Sequence, residues 1–144
     1  MKRSNATAAE DLTLAIGLLL RRMRAEAPTG LHELSWTQMA VLSRLEKNGP
    51  ATMADLARAE GVKPQSMGTA VALLEQLDLV ERKVHPTDGR QFNIKVTSKG
   101  LAMRKRTKEA KQRWLSEAIA KLEKEEQATL FKAGEIIKRM VELP

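Results

Sequence analysis

Residues 79–97 carry the pattern that most restricts how this chain can fold. Two short runs show a period of two, and the polar segment His85 to Arg90 separates them with Pro, Asp and Gly. Such alternation on both sides of a turn predicts a β-hairpin. We therefore expect two strands that meet at a polar, basic tip.

The residues before this hairpin predict two compact helices joined by a glycine-centred turn. Thr52 is the expected N-cap of a helix with the sequence MADLARAE, and Gly61 is its expected left-handed C-cap. Pro64 begins another helix that ends near Leu77. Two compact helices followed by a basic hairpin are the elements expected of a winged helix-turn-helix reader of DNA.

The helix that begins at Pro64 has two distinct predicted faces. Its predicted buried face contains Met67, Ala70, Val71, Leu74 and Leu77. The opposite face contains Gln65, Ser66, Thr69, Ala72 and Gln76. Amides and hydroxyls without a carboxylate suit a helix in the major groove of DNA, and they equally suit an ordinary solvent-exposed surface.

Long helices are predicted on both sides of this region. The first runs from about Thr7 to Ala25, and the next begins at a capping box formed by Ser35 and Gln38. A long helix covers about 99–122, and a last helix follows a break near 123–125. Their long aliphatic stripes, in a chain with only four aromatic residues, predict burial against a second copy of the chain.

The predicted fold class is mainly α with a small β-hairpin wing. We expect one domain over residues 1–144. Residues 31–100 form its winged helix-turn-helix DNA-binding region. Residues 1–30 and 101–144 form a helical dimerisation region.

Positive charge is concentrated in the segment from Glu81 to Arg113, which is less than a quarter of the chain. The formal net charge is +7, and the eleven cations and three anions between Glu81 and Arg113 give that segment +8. Such concentration is typical of a protein that binds a polyanion. For the cations between Arg104 and Arg113, the solvated face of a long helix is an equally good interpretation.

Composition argues against other classes of protein. The chain has no cysteine and only two histidines, and it shows neither a glycine-rich phosphate loop nor a nucleophile elbow. We therefore expect no catalytic residue, no metal site and no cofactor. No apolar run approaches the roughly 18 residues that span a bilayer, and no signal-peptide core is present. We expect a cytoplasmic protein without a membrane partner.

Three segments together resemble the MarR family of multiple-antibiotic-resistance regulators. They are LSWTQMAVLSRL, MADLARAEGV and LLEQLDLVERKVHPTDGRQFNIKVTSKG. The resemblance covers about residues 34–100 and implies a dimeric winged-helix protein, most commonly a repressor. Two positions depart from the family pattern. Asp78 stands where members often have Gly, and Gly89 stands where many have a second Arg at the wing tip.

The resemblance implies that Arg90 enters the minor groove of DNA. A guanidinium is attracted by the negative potential of a narrow, A·T-rich groove. Asp88 is expected to hold the tip through hydrogen bonds to the backbone and to a neighbouring Arg. The complete set of predicted DNA-binding residues is Lys63, Gln65, Ser66, Thr69, Gln76, Lys83, Asp88, Arg90 and Lys95. In this set Gln65, Ser66 and Thr69 are expected to face base edges, and the lysines are expected to face phosphates.

Two further expectations concern the partners of the chain. A homodimer would bind a pseudo-palindromic double-stranded operator, with half-site centres about 10 bp or a multiple of that apart. The resemblance also implies a small aromatic or phenolic anion as a ligand. The residues proposed for it are Arg21, Arg22, His32, Trp36 and Met39. For Trp36 core packing, and for His32 an exposed loop position, are the simpler interpretations.

Other functions stay open at this stage. A basic protein could bind nucleic acid without sequence preference, or a winged helix could serve as a protein-binding scaffold. The dimerisation and winged-helix module of a methyltransferase is disfavoured because no nucleotide-binding βαβ unit follows.

Overall fold

A computed structural model describes residues 4–28 and 34–144 of the chain. In these residues the helices are α1 (Asn5–Arg24), α2 (Trp36–Asn48), α3 (Met53–Glu60), α4 (Pro64–Gln76), α5 (Ser98–Ala120) and α6 (Lys124–Val141). The strands are β1 (Ala51–Thr52), β2 (Val80–Val84) and β3 (Phe92–Val96). The chain divides into two compact units. One comprises Ala27–Lys108, and the other comprises Met1–Glu26 together with Glu109–Pro144.

The predicted hairpin is present, but the sheet has a third strand that the sequence did not indicate. The three antiparallel strands lie in the order β1-β3-β2. In β2 and β3, Val80 pairs with Val96 and Val84 pairs with Phe92. The added strand β1 is two residues long, and Ala51 pairs with Ile94. A strand this short offers no periodicity, so the sequence could not reveal it.

The core of the Ala27–Lys108 unit is formed by residues from α2, α3, α4 and the sheet. On α2, the predicted inner face of Gln38, Val41, Leu42 and Leu45 is confirmed as buried. On α4, Met67, Val71 and Leu74 are buried as predicted, but Leu77 is 37% exposed. The prediction for Leu77 is wrong because α4 ends at Gln76. A residue beyond the last turn no longer follows the helical period.

Capping interactions set the helix boundaries, mostly where the sequence predicted them. The Thr52 side chain accepts a hydrogen bond from the backbone N–H of Asp55, and Gly61 has φ 65°. Asp78 takes a left-handed conformation with φ 59°. This is the position where the resembling family often has glycine. Helix α1 begins at Asn5 rather than Thr7, because Ser4 caps it. Helix α5 ends at Ala120 rather than Leu122.

The second unit exposes many of its large apolar side chains. Neither α1 nor α6 contains a buried residue among those described. Leu14 is 64% exposed, Leu18 54% and Phe131 57%. Within this unit, the Arg22 guanidinium lies 4.8 Å from the centre of the Trp114 ring. No described helix is both long enough and apolar enough to cross a bilayer.

Candidate nucleic-acid interface

A buried glutamine fixes α4 against the start of α2. Gln38 Oε1 accepts a hydrogen bond from the Ser35 backbone N–H at 2.8 Å, which completes the predicted capping box. Its Nε2 donates to the carbonyl oxygen of Ala70, in the middle of α4, at 3.3 Å. One side chain therefore satisfies the first turn of α2 and anchors the helix whose other face is exposed.

The opposite face of α4 is exposed along its length. Gln65, Ser66, Thr69, Ala72 and Gln76 are all exposed, as the sequence predicted. The Thr69 hydroxyl donates to the carbonyl oxygen of Gln65 at 3.2 Å, which leaves its lone pairs available as acceptors. This face can donate and accept hydrogen bonds and carries no charge, which suits contact with base edges.

The wing is the hairpin of residues 80–96, and the hydrogen bonds of its tip centre on Asp88. Asp88 Oδ1 accepts hydrogen bonds from the backbone N–H of Arg90 at 3.1 Å and from Arg90 Nε at 3.3 Å. Asp88 Oδ2 accepts a bond from Gln91 Nε2 at 3.2 Å. The expected bonds of Asp88 to backbone and to a neighbouring Arg are therefore present. They orient Arg90, whose side chain is 93% exposed.

These hydrogen bonds stabilise the charged form of Asp88. The bond from the Arg90 backbone N–H contributes most, followed by the bond from the Arg90 side chain, and together they hold the pKa of Asp88 below its ordinary value of 3.8. Asp88 is therefore ionised at neutral pH. Its negative charge is turned toward groups of the tip itself.

His85 closes the tip from the side of β2, a role that the sequence analysis did not assign. Its Nδ1 accepts hydrogen bonds from the backbone N–H groups of Thr87 at 3.2 Å and Asp88 at 3.1 Å. The His85 backbone N–H donates to the carbonyl oxygen of Gln91. A histidine that precedes Pro-x-Asp in a turn was the available signal.

The predicted phosphate-facing lysines are exposed and lie on three elements. Lys63 is the N-cap residue of α4, Lys83 lies in β2 and Lys95 lies in β3. Lys83 Nζ is 3.7 Å from Glu81 Oε1, a weak exposed pair that is easily exchanged for another anion.

The residues predicted for a small ligand lie in both units. Arg21 is exposed on α1, and Arg22 on the same helix stacks on Trp114 and also pairs with Glu26. In the other unit, Trp36 is 59% exposed and Met39 packs against the core. His32 lies outside the described residues. The role of this set in ligand binding stays a prediction.

Comparison with known proteins identifies the family. The sequence profile of the MarR family matches residues 32–91. An uncharacterised HTH-type transcriptional regulator of Mycobacterium bovis, Mb0904, is 34% identical over 142 residues, covering 99% of this chain and 98% of its own. The chain belongs to the MarR family. The family and its matched relatives are transcriptional regulators rather than enzymes.

Solved structures confirm the winged-helix fold of this MarR-family chain. A Pseudomonas aeruginosa protein superposes with a TM-score of 0.83 at 25% identity, covering 99% of this chain and all of its own. Streptococcus pneumoniae FabT, solved in complex with DNA, superposes with a TM-score of 0.67 at 18% identity, covering 96% of this chain and 98% of its own.

Proposed function

We propose that this MarR-family protein is a sequence-specific repressor that binds a pseudo-palindromic operator as a homodimer. The observation that carries the proposal is the combination, within one unit, of an exposed amide and hydroxyl face on α4 with a hydrogen-bonded wing tip that presents Arg90. The structure of FabT with DNA supports a duplex as the partner of this fold.

Each unit of 27–108 would read one half-site through two grooves. Helix α4 lies in the major groove, where Gln65, Ser66 and Thr69 hydrogen-bond to base edges. The wing reaches the adjacent minor groove, and Arg90 enters it where A·T pairs make it narrow. Lys63, Lys83 and Lys95 contact phosphates, and Gln76 contacts the end of the half-site.

The exposed apolar side chains of α1 and α6 support the homodimer. Large exposed apolar side chains that recur along two helices are a common sign of a surface that another chain covers. The exposed face of α4 and the wing tip together form the surface proposed to contact DNA, here called the reading surface. A two-fold dimer carries two copies of it, so the operator would be an inverted repeat. Repression follows when a bound dimer overlaps the site at which transcription begins.

A small aromatic or phenolic anion would release the repressor from DNA. Such a ligand acts by binding more tightly to a dimer whose α4 helices have the wrong spacing for the operator. Arg21, Arg22, His32, Trp36 and Met39 are the proposed contacts. Binding of the ligand should weaken operator affinity, and the operator should weaken ligand affinity by the same factor.

The Arg90→Ala variant tests the role of the wing. We expect the free energy of operator binding to weaken by about 1–3 kcal/mol, mainly for duplexes with A·T flanks. Arg58→Ala is the matched control. Like Arg90, Arg58 is exposed and pairs with a nearby Asp, but it lies in α3 and not in the wing. Fluorescence anisotropy with flank variants of the operator measures both. Equal losses for the two variants would reject the minor-groove role.

Competition with bulk genomic DNA separates the proposal from its main alternative. A sequence-specific regulator keeps its preferred duplex in the presence of excess competitor, whereas a nonspecific basic protein loses it.

A further inference from the structure

One ion pair joins the helix proposed to read bases to the wing. Arg82 Nε in β2 donates to Glu75 Oε1 in the last turn of α4 at 2.6 Å. The two side chains are only 41% and 30% exposed. None of the predicted DNA-binding residues belongs to this pair, although Arg82 lies beside Lys83 in the most basic part of the chain.

Glu75 is the only carboxylate of α4. An unpaired negative charge so close to the exposed face of this helix would be repelled by DNA phosphates, because like charges at an interface oppose association. The Arg82 guanidinium neutralises it at hydrogen-bond distance. The pair therefore removes an electrostatic obstacle on the helix that would approach the bases.

Arg82 also lies on the face of β2 that is turned toward the core, where its side chain can link the wing to α4. It lies opposite Ile94 of β3, which is fully buried in the core. Because strand residues alternate between faces, Glu81 and Lys83 lie on the other face of β2, where they pair with each other. Glu75 is held as well, since its carbonyl oxygen accepts the Asp78 backbone N–H at 3.0 Å.

We infer that Arg82 is a positioning residue that braces the wing on α4 and neutralises Glu75, and that it makes no phosphate contact. This inference rests on the proposed function, since it concerns how the reading surface of that function is held. Arg82 Nε is engaged by the Glu75 carboxylate, and in this inference the direct contacts to DNA are made by Arg90 and the lysines.

A charge swap tests this assignment on the full-length protein and its preferred duplex. We expect R82E to weaken binding by about tenfold or more, because two carboxylates then face each other beside the DNA. The double variant E75R/R82E restores the pair in reverse and should return affinity to within about threefold of wild type. R44E, which breaks the similar Arg44–Glu60 pair, is the matched control and should change affinity by less than about twofold.

The salt dependence separates bracing from phosphate contact. The slope of log affinity against log salt should be the same for wild type and E75R/R82E, since losing or gaining a phosphate contact changes it by about 0.9. R82E should also lose part of the preference for A·T over G·C flanks, because the wing is no longer held in place. A smaller fraction of folded protein would weaken binding to both kinds of duplex equally and would not change that preference. R82Q replaces R82E in these measurements if R82E does not fold.

The possible outcomes are distinguishable. A swap variant as weak as R82E overturns the inference. A swap variant whose salt slope is shallower or steeper than that of the wild type by about 0.9 also overturns it. If the wild-type protein itself prefers no duplex, the proposed function is rejected, and the inference that rests on it is rejected with it.

Discussion

At the scale of single residues, Asp88 shows how an acidic side chain can contribute to the proposed DNA-binding surface. Its carboxylate accepts hydrogen bonds from the backbone and side chain of Arg90 and from Gln91. A negative charge near DNA would weaken binding by itself. Here the carboxylate accepts hydrogen bonds from donors of the same turn, and these bonds orient Arg90.

Acidification should therefore loosen the wing tip. The pKa of Asp88 is lowered in the folded protein, chiefly by the Arg90 backbone N–H. The stabilisation is present above the ordinary pKa of 3.8 and is lost as the pH falls through the lower folded value. A carboxyl titration followed by NMR should give a value below 3.8, and the Arg90 amide should lose protection, relative to its intrinsic exchange rate, at the acidic end.

An Asp88→Asn variant is the control for this titration. The amide oxygen of Asn can still accept the Arg90 backbone N–H, but the side chain does not ionise. The Arg90 amide should then show no acid transition near the pKa of Asp88. A carboxyl that titrates at or above its ordinary value would contradict the account.

At the scale of elements, the junction between β3 and α5 depends on a residue without a side chain. A Cβ added to Gly100 would lie 2.3 Å from the carbonyl oxygen of Leu79 and 2.8 Å from Val96 Cγ2. The same carbonyl accepts the Thr97 backbone N–H. The Thr97 hydroxyl caps α5 by accepting the Gly100 backbone N–H at 3.0 Å. The base of the wing and the start of α5 are thus packed backbone to backbone.

Gly100→Ala should destabilise the unit that contains the wing. The nearest obstacle is backbone, which cannot rotate away as a side chain would, so we expect a loss of about 1–3 kcal/mol. Urea unfolding measures it, with Gly68→Ala as the control because a Cβ there meets nothing within 4 Å. If the two variants unfold at the same urea concentration, the close approach at Gly100 is not a constraint.

The sequence predicted most elements because local signals agreed with each other. The Ser35–Gln38 capping box, the Thr52 cap and Gly61 each define a boundary through neighbours within a few residues, and each is confirmed. Strand β1 and the contact of Gln38 with Ala70 depend on residues far apart in the chain, and the Glu75–Arg82 pair joins two different elements. Periodicity and capping preferences carry no information about such contacts.

At the scale of the whole molecule, the two units differ in the chemistry of the surfaces that they expose. The unit of 27–108 has a buried core and an exposed face of amides, hydroxyls and cations. The described helices α1 and α6 bury no residue and expose leucine, isoleucine and phenylalanine side chains. The proposed homodimer would account for both, since it would cover the apolar helices and carry two copies of the reading surface.

The candidate site could be predicted from the sequence only in part. The exposed face of α4 follows from helical periodicity, and Arg90 follows from the motif around the turn. Arg21 and Arg22 belong to one unit and Trp36 and Met39 to the other, so helical periodicity and turn motifs carry no information about whether they share a ligand.

Selection of bound duplexes from a random pool tests the central claim most directly, because it measures specificity and symmetry together. The account predicts enrichment of an inverted repeat whose half-site centres are about 10 bp, or a multiple of that, apart, with A·T pairs flanking each half-site. A pool that shows no enriched sequence after repeated rounds, or a single asymmetric site, would contradict it.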